Sequence, residues 1–223
     1  MKNANCISMD VTSRVDEAID KSMDIYINKL MTNYIDIGLE YAFQMHLAEI
    51  ISKELDQLTF FSDERFVVKF EKNMPINNNN DYIDVVVEYK RGSIFKQYLI
   101  ELKFKKETDS APDLGNIYSY IDIYNLDCHR KNSNNVERCY FIFLTDYEVY
   151  TKASKKEKGT RFELPMYDGY TIKANTNYIV TGNSAKKDTV KYPNGFIFSN
   201  DYLIEYQKTK INNKDFWFYI LKI

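Results

Sequence analysis

Asp84 sits in an otherwise apolar run, Ile83-Asp84-Val85-Val86-Val87, and further on Glu101 and Lys103 alternate with Ile100, Leu102 and Phe104. Charged side chains inside apolar strands are costly unless they are paired or ligate a metal. Side chains alternate across a strand, so Glu101 and Lys103 share one face and their apolar neighbours take the other. The hairpin between the two segments sets the rest. With Arg91-Gly92 as a two-residue turn, Lys90 pairs with Ser93 and Asp84 falls opposite Leu99. Asp84 then joins the face of Glu101 and Lys103 as a diagonal neighbour, roughly 7–8 Å from Glu101. A slip of one residue would put the two carboxylates on opposite faces. Carboxylates at that separation can lean toward one cation. Hard oxygen donors suit Mg²⁺, which binds through one or two carboxylates, waters and a phosphate, with Mn²⁺ as a substitute. Such an ion lowers the pKa of a bound water and offsets charge at a phosphorus centre under attack. A lysine beside it can steer or deprotonate that water, or screen the developing charge.

The elements that must hold these residues are legible in the periodicity. Val15, Ile19, Met23, Tyr26 and Leu30 recur at helical spacing, which predicts a lead-in helix within 10–34. Leu39, Phe43, Leu47, Ile50 and Leu58, widened by Ile51 and Leu55, predict a second helix, with Gly38 as the break between the two. Strands are expected over Phe66–Glu71, Tyr82–Tyr89 and Ile94–Phe104, the last two joined by the turn at Lys90-Arg91-Gly92-Ser93. Asp113 is a candidate cap for a helix to about Arg130, with Ile117, Ile121, Tyr124 and Cys128 on one side. Cys139–Leu144 is a short apolar strand. Strand-like pieces follow around Tyr170–Lys173, Gly195–Ser199, Tyr202–Gln207 and Phe216–Leu221. The expectation is one α/β domain spanning 1–223: a helical lead-in, a core over 38–150 with an antiparallel hairpin, and a β-rich C-terminal extension over 151–223.

The tripeptide Glu-x-Lys alone is a weak signal, since Glu88-Tyr89-Lys90 also matches it. The order is more specific: helix, strand with aspartate, strand with Glu-x-Lys, helix, strand. It resembles the restriction-endonuclease-like superfamily with its PD-(D/E)xK signature. In one bacterial branch, a core-helix glutamate opens a Glu-x-x-Phe-Gln-x-x-Leu-Ala pattern, matched here from Glu40 to Ala48 with Phe43, Gln44 and Leu47 in place. That branch also has an Asp-Leu-Gly and a Phe-Leu-Thr, matched by Asp113-Leu114-Gly115 and Phe143-Leu144-Thr145. The resemblance covers about residues 38–150. Phe216-Trp217-Phe218-Tyr219 is similar only loosely. It implies a mixed sheet flanked by helices and a Mg²⁺-dependent endonuclease. Asp84 and Glu101 would ligate the metal, Lys103 would assist the water, and Glu40 would reach the metal or its water. Gln44, one turn on from Glu40, would face the same site. Two positions depart from the pattern: Ile83 replaces the signature proline, and Asn125 stands where the branch usually has arginine.

Composition narrows the alternatives. The seven glycines are scattered and build no phosphate loop. With two histidines, His46 and His129, a Ser-His-Asp or Cys-His nucleophile is disfavoured. Cys128-His129 lacks a second ligand pair for zinc, so a core cysteine and a surface histidine are expected. Three cysteines without paired spacing, and no basic-then-apolar start in Met1–Asp10, point to a reducing cytoplasmic setting. No apolar run approaches a membrane span, so no membrane partner is expected. The net charge is −2, but residues 151–223 hold 13 basic and 7 acidic side chains. Lys155 and Lys156 in that basic part are candidates for phosphate contact, and Tyr118, Tyr120 and Tyr124 for stacking on bases. Two functions are therefore carried forward. One is an endonuclease acting on DNA rather than RNA, in defence or restriction, with a homodimer left open. The other is a nuclease-fold module that binds nucleic acid or a partner protein without cutting.

Overall fold

The computed structural model describes residues 10–36, 38–76, 80–109, 112–153, 163–180, 189 and 191–223. The first helix, α1, spans Val11–Met31, and the Asp10 side chain caps it by accepting from the Thr12 N–H at 3.2 Å. Its predicted stripe of Val15, Ile19, Met23, Tyr26 and Leu30 is buried throughout. The second helix, α2, spans Glu40–Gln57 and buries Phe43, Leu47, Ile50, Ile51 and Leu55. Leu39 departs from its expected place in that stripe. It is the residue before the helix and is 69% exposed.

Four strands and a helix follow in the expected order: β1 at Glu64–Asn73, β2 at Tyr82–Arg91, β3 at Ile94–Lys105, α3 at Pro112–Asn132 and β4 at Val136–Thr145. Pro112 opens α3, where its missing N–H costs nothing, and Asp113 lies inside the first turn rather than capping it. β1 to β3 form an antiparallel meander. β3 and β4 run parallel, a pairing that needs a crossover, and α3 supplies it.

The C-terminal part does more than extend the core. Two short ladders, β5 (Thr171–Ile172) with β8 (Tyr202–Leu203) and β6 (Asn177–Tyr178) with β7 (Phe196–Ile197), lie outside the main sheet. The last strands, β9 (Gln207–Ile211) and β10 (Lys214–Lys222), complete the main sheet instead. Its order is β1-β2-β3-β4-β10-β9, with β10 antiparallel to both neighbours. The apolar run Phe216–Tyr219 drives this, because it covers the otherwise open edge of β4.

The result is an α/β fold in three layers around a six-stranded mixed sheet. Val85, Val87, Ile100, Leu102, Tyr140 and Ile142 face α1 and α2. Val86, Leu99, Phe141 and Phe143 face α3 and the C-terminal segment. Among the described residues, no helix is long and apolar enough to cross a membrane.

Candidate metal and phosphate site

The hairpin register differs from the expected one. Arg91 pairs with Ile94, so the turn residues are Gly92 and Ser93, and Lys90 pairs with Phe95. Gly92 takes φ +55 at the first turn position, where glycine adopts the left-handed conformation without a Cβ penalty. Val85 pairs with Ile100, and the same register sets Asp84 across from Glu101 rather than Leu99. The shift is two residues, an even number, so the face is unchanged. A direct cross-strand pair is closer than a diagonal one.

The same register and face set the Asp84 and Glu101 carboxyls beside each other on neighbouring strands, close enough for each to perturb the other. Asp84 Oδ2 also accepts from the Leu102 backbone N–H at 2.8 Å. Glu101 is 7% exposed. Burial pushes Asp84 up to about 6, against the pull of the Leu102 N–H and Lys103. Burial, then the Asp84 and Asp122 charges, hold Glu101 well above the usual carboxylate range. Two such groups side by side do not both ionise readily, so both are held above the usual carboxylate range.

Lys103 follows on the same strand face. Its Nζ lies 2.8 Å from Asp122 Oδ2 of α3 and 3.9 Å from Glu40 Oε1 of α2. Burial would lower its pKa, but Asp122, Glu40 and Glu101 more than offset that, and the group is raised above the ordinary lysine value. These carboxylates therefore favour the charged form of Lys103.

Glu40 reaches this cluster from the first turn of α2. Its Oε2 accepts from the Phe104 N–H at 3.0 Å and lies 3.5 Å from Lys105 Nζ. These contacts fasten the helix start to the end of β3 and set Glu40 beside Lys103. Among the described residues, no group of three or more His, Cys, Asp or Glu is placed to hold a metal ion. The two-carboxylate pair is the part that fits a hard divalent ion with a largely aqueous shell. Gln44, one turn on, is half-buried, and among the described residues no hydrogen bond joins it to the cluster. Lys155 and Lys156 lie outside the described residues.

Asp122 is the site residue that sequence reasoning left without a role. The expected α3 stripe was Ile117, Ile121, Tyr124 and Cys128. The buried face instead carries Ile117, Tyr120, Ile123 and Leu126, and Ile121, Tyr124 and Cys128 are half-buried. A stripe drawn through Ile123 would have set Asp122 at the border nearest the β3 charges. His129 also departs from expectation. It is 6% exposed, with Nε2 2.8 Å from Asp81 Oδ2, whereas Cys128 is only half-buried.

Comparison with protein-family models, with curated proteins and with solved structures finds no match to this chain.

Proposed function

We propose that this chain is a Mg²⁺-dependent phosphodiesterase that cleaves nucleic acid, DNA before RNA, with a restriction-endonuclease-like core. The observation that carries this is the placing of the Asp84 and Glu101 carboxyls on one sheet face across neighbouring strands, with Lys103 on the same face. The parallel β3–α3–β4 unit behind an antiparallel hairpin supports the fold reading.

In this reading Asp84 and Glu101 would hold the divalent ion. When bound, that ion supplies a water of lowered pKa and offsets phosphate charge. Asp122 and Glu40 keep Lys103 protonated and aimed. Its ammonium then holds the attacking water and screens the charge that grows on the phosphate oxygens, a task suited to a fixed cation. Burial of Glu101 strengthens each of these interactions by excluding water.

A divalent ion held by Asp84 and Glu101 would favour their charged forms, which gives a signature separate from activity. In the metal-free protein the folded pKa values exceed the unfolded ones of about 4. Between these values the folded state binds more protons, so this pair favours folding at low pH and loses that contribution as pH rises. Asp84 and Glu101 holding Mg²⁺ or Mn²⁺ would be relieved of their mutual repulsion. Thermal stabilisation by the metal should be larger at pH 7.5 than at pH 5.5 and should vanish in Glu101→Gln. Differential scanning fluorimetry with metal titration checks this. A stabilisation independent of both pH and Glu101 would remove the metal site.

The direct test is cleavage of plasmid, single-stranded DNA and RNA with Mg²⁺ and Mn²⁺. A second reading, a binding module that does not cut, is favoured by the close Lys103–Asp122 pair and the lack of a three-group cage among the described residues. No cleavage of any substrate with either metal would put it first.

A further inference from the structure

Alongside the acidic pair, between α3 and the segment from 191 to 195, lies a cleft of about 360 Å³. Asp122, Tyr124 and Asn125 form one wall, and Lys191, Tyr192 and Asn194 the other. Asp122 belongs to both places: it lines the cleft and touches Lys103 Nζ at 2.8 Å. The cleft therefore opens beside the proposed phosphate position.

Its polar groups divide into those already engaged and those left over. Asp122 is held by Lys103. Asp81, also on the lining, is held by His129 at 2.8 Å and by the Asn125 amide at 3.1 Å. The Tyr192 hydroxyl donates to Asn125 Oδ1 at 3.0 Å, which fixes its ring edge-to-face with Tyr124 at 5.7 Å. Two groups remain. Lys191 is exposed and has no ion-pair partner among the described residues, and the Asn194 amide makes no side-chain hydrogen bond among them.

Immobilised rings, with an amide and an ammonium that have no side-chain partner among the described residues, match the parts of a nucleotide beside a phosphate site. Rings give a base a surface to stack on whatever its identity, an amide can meet its edge, and the ammonium can meet the neighbouring phosphate. A base held in a duplex stack cannot enter such a recess, so it must be unstacked first. We infer that this cleft is a base subsite, taking one unstacked nucleobase of a strand whose adjacent phosphate lies at Asp84, Glu101 and Lys103, and that single strands are the preferred substrate. This rests on the phosphodiesterase reading above.

The test compares oligothymidylate with a chain of equal length built from abasic residues, which keeps the phosphates and removes the bases. Affinity is measured by fluorescence anisotropy in Ca²⁺, and cleavage in Mn²⁺. Wild type should bind the thymidylate about tenfold more tightly than the abasic chain, the scale of a single stacked base, and bind single strand more tightly than duplex. Tyr192→Leu should bring the ratio close to one without changing affinity for the abasic chain. Asn194→Ala, an exposed change that does not burden the fold, should reduce the ratio in the same direction. Equal affinity for the two chains, or a ratio unmoved by both variants, overturns the subsite. Cleavage without base dependence removes the subsite alone. Base-dependent binding without cleavage in any metal supports the subsite and removes the phosphodiesterase reading.

Discussion

Lys103→Met should lower cleavage by about 10²–10³-fold, the usual cost of losing one group that stabilises charge in the transition state. Methionine retains most of the side-chain length and leaves the apolar packing of β3 intact. The charge it removes is one that Asp122 at 2.8 Å and Glu40 at 3.9 Å hold in place. Asp122 then tolerates the loss by taking up a proton, because burial already raises its pKa. Substrate affinity in Ca²⁺ should fall only a few-fold, since Lys103 acts on charge that develops during attack and not on the ground state. Glu101→Gln should differ by weakening metal affinity along with rate. The measurement is cleavage of labelled single- and double-stranded DNA with Mg²⁺ titrated, beside anisotropy in Ca²⁺. Equal cutting by wild type and Lys103→Met would make Lys103 a structural residue.

The largest effect on stability is expected at Glu64, far from the acidic pair. Its carboxylate accepts from both terminal nitrogens of Arg14 at 2.8 and 3.0 Å, from the Tyr89 hydroxyl at 3.1 Å, and from the Phe60 and Phe61 N–H groups at 2.5 and 3.2 Å. The Arg14 and Glu64 side chains are 4% and 0% exposed. Burial opposes the charge on Glu64, yet these donors hold its pKa down at about 2. Arg14 lies within 5.2–5.8 Å of the Phe60, Phe66 and Tyr89 rings, so Glu64→Ala leaves a guanidinium in an apolar pocket. Breaking a buried pair in this way costs about 3–5 kcal/mol, roughly 10 °C in Tm for a domain of this size. The double variant Arg14→Leu/Glu64→Leu, which removes both charges, should recover most of that loss. Urea denaturation decides it, and a loss below about 1 kcal/mol would mean that the pair behaves like a surface one. The pH dependence has the opposite sign to that of the acidic pair. The folded pKa is depressed, so this stabilisation is complete above about 4.5 and fades as pH falls toward 2.

The sequence revealed the face of the site more reliably than its register. Period-two alternation in β2 and β3 made Asp84, Glu101 and Lys103 co-facial for any even shift of the hairpin, so taking the turn as Arg91-Gly92 rather than Gly92-Ser93 misplaced Asp84 along the strand but not through the sheet. Turn identity depended on which residue adopts φ +55, and glycine permits that at either turn position. Helices α1 and α2 were legible because one apolar stripe decides each. The sides of α3 were less so, because it packs against both the sheet and the C-terminal segment and therefore buries polar residues as well: Asn116, Ser119, Asp127 and His129. Asp127 illustrates why. It accepts from the Tyr202 hydroxyl at 2.5 Å and the Ser199 N–H at 3.0 Å, partners more than seventy positions away. Strand β9 had a local signal that went unread: Asn212-Asn213, both with positive φ, form the two-residue turn that pairs Ile211 with Lys214.

The position of β10 bears on the order in which the molecule assembles. The β2–β3 hairpin joins neighbouring segments, and short loops close quickly, so Asp84 and Glu101 can meet early. β4 must wait for a strand that emerges from synthesis long after it, since Thr145 pairs with Trp217. Such distant pairings slow folding. Until β10 docks, Phe141, Ile142 and Phe143 lie along a strand whose outer edge is unsatisfied, a template for pairing with another chain. Nascent or truncated chains that stop before Phe216 should therefore depend on chaperones to avoid aggregation, even with the acidic hairpin already formed.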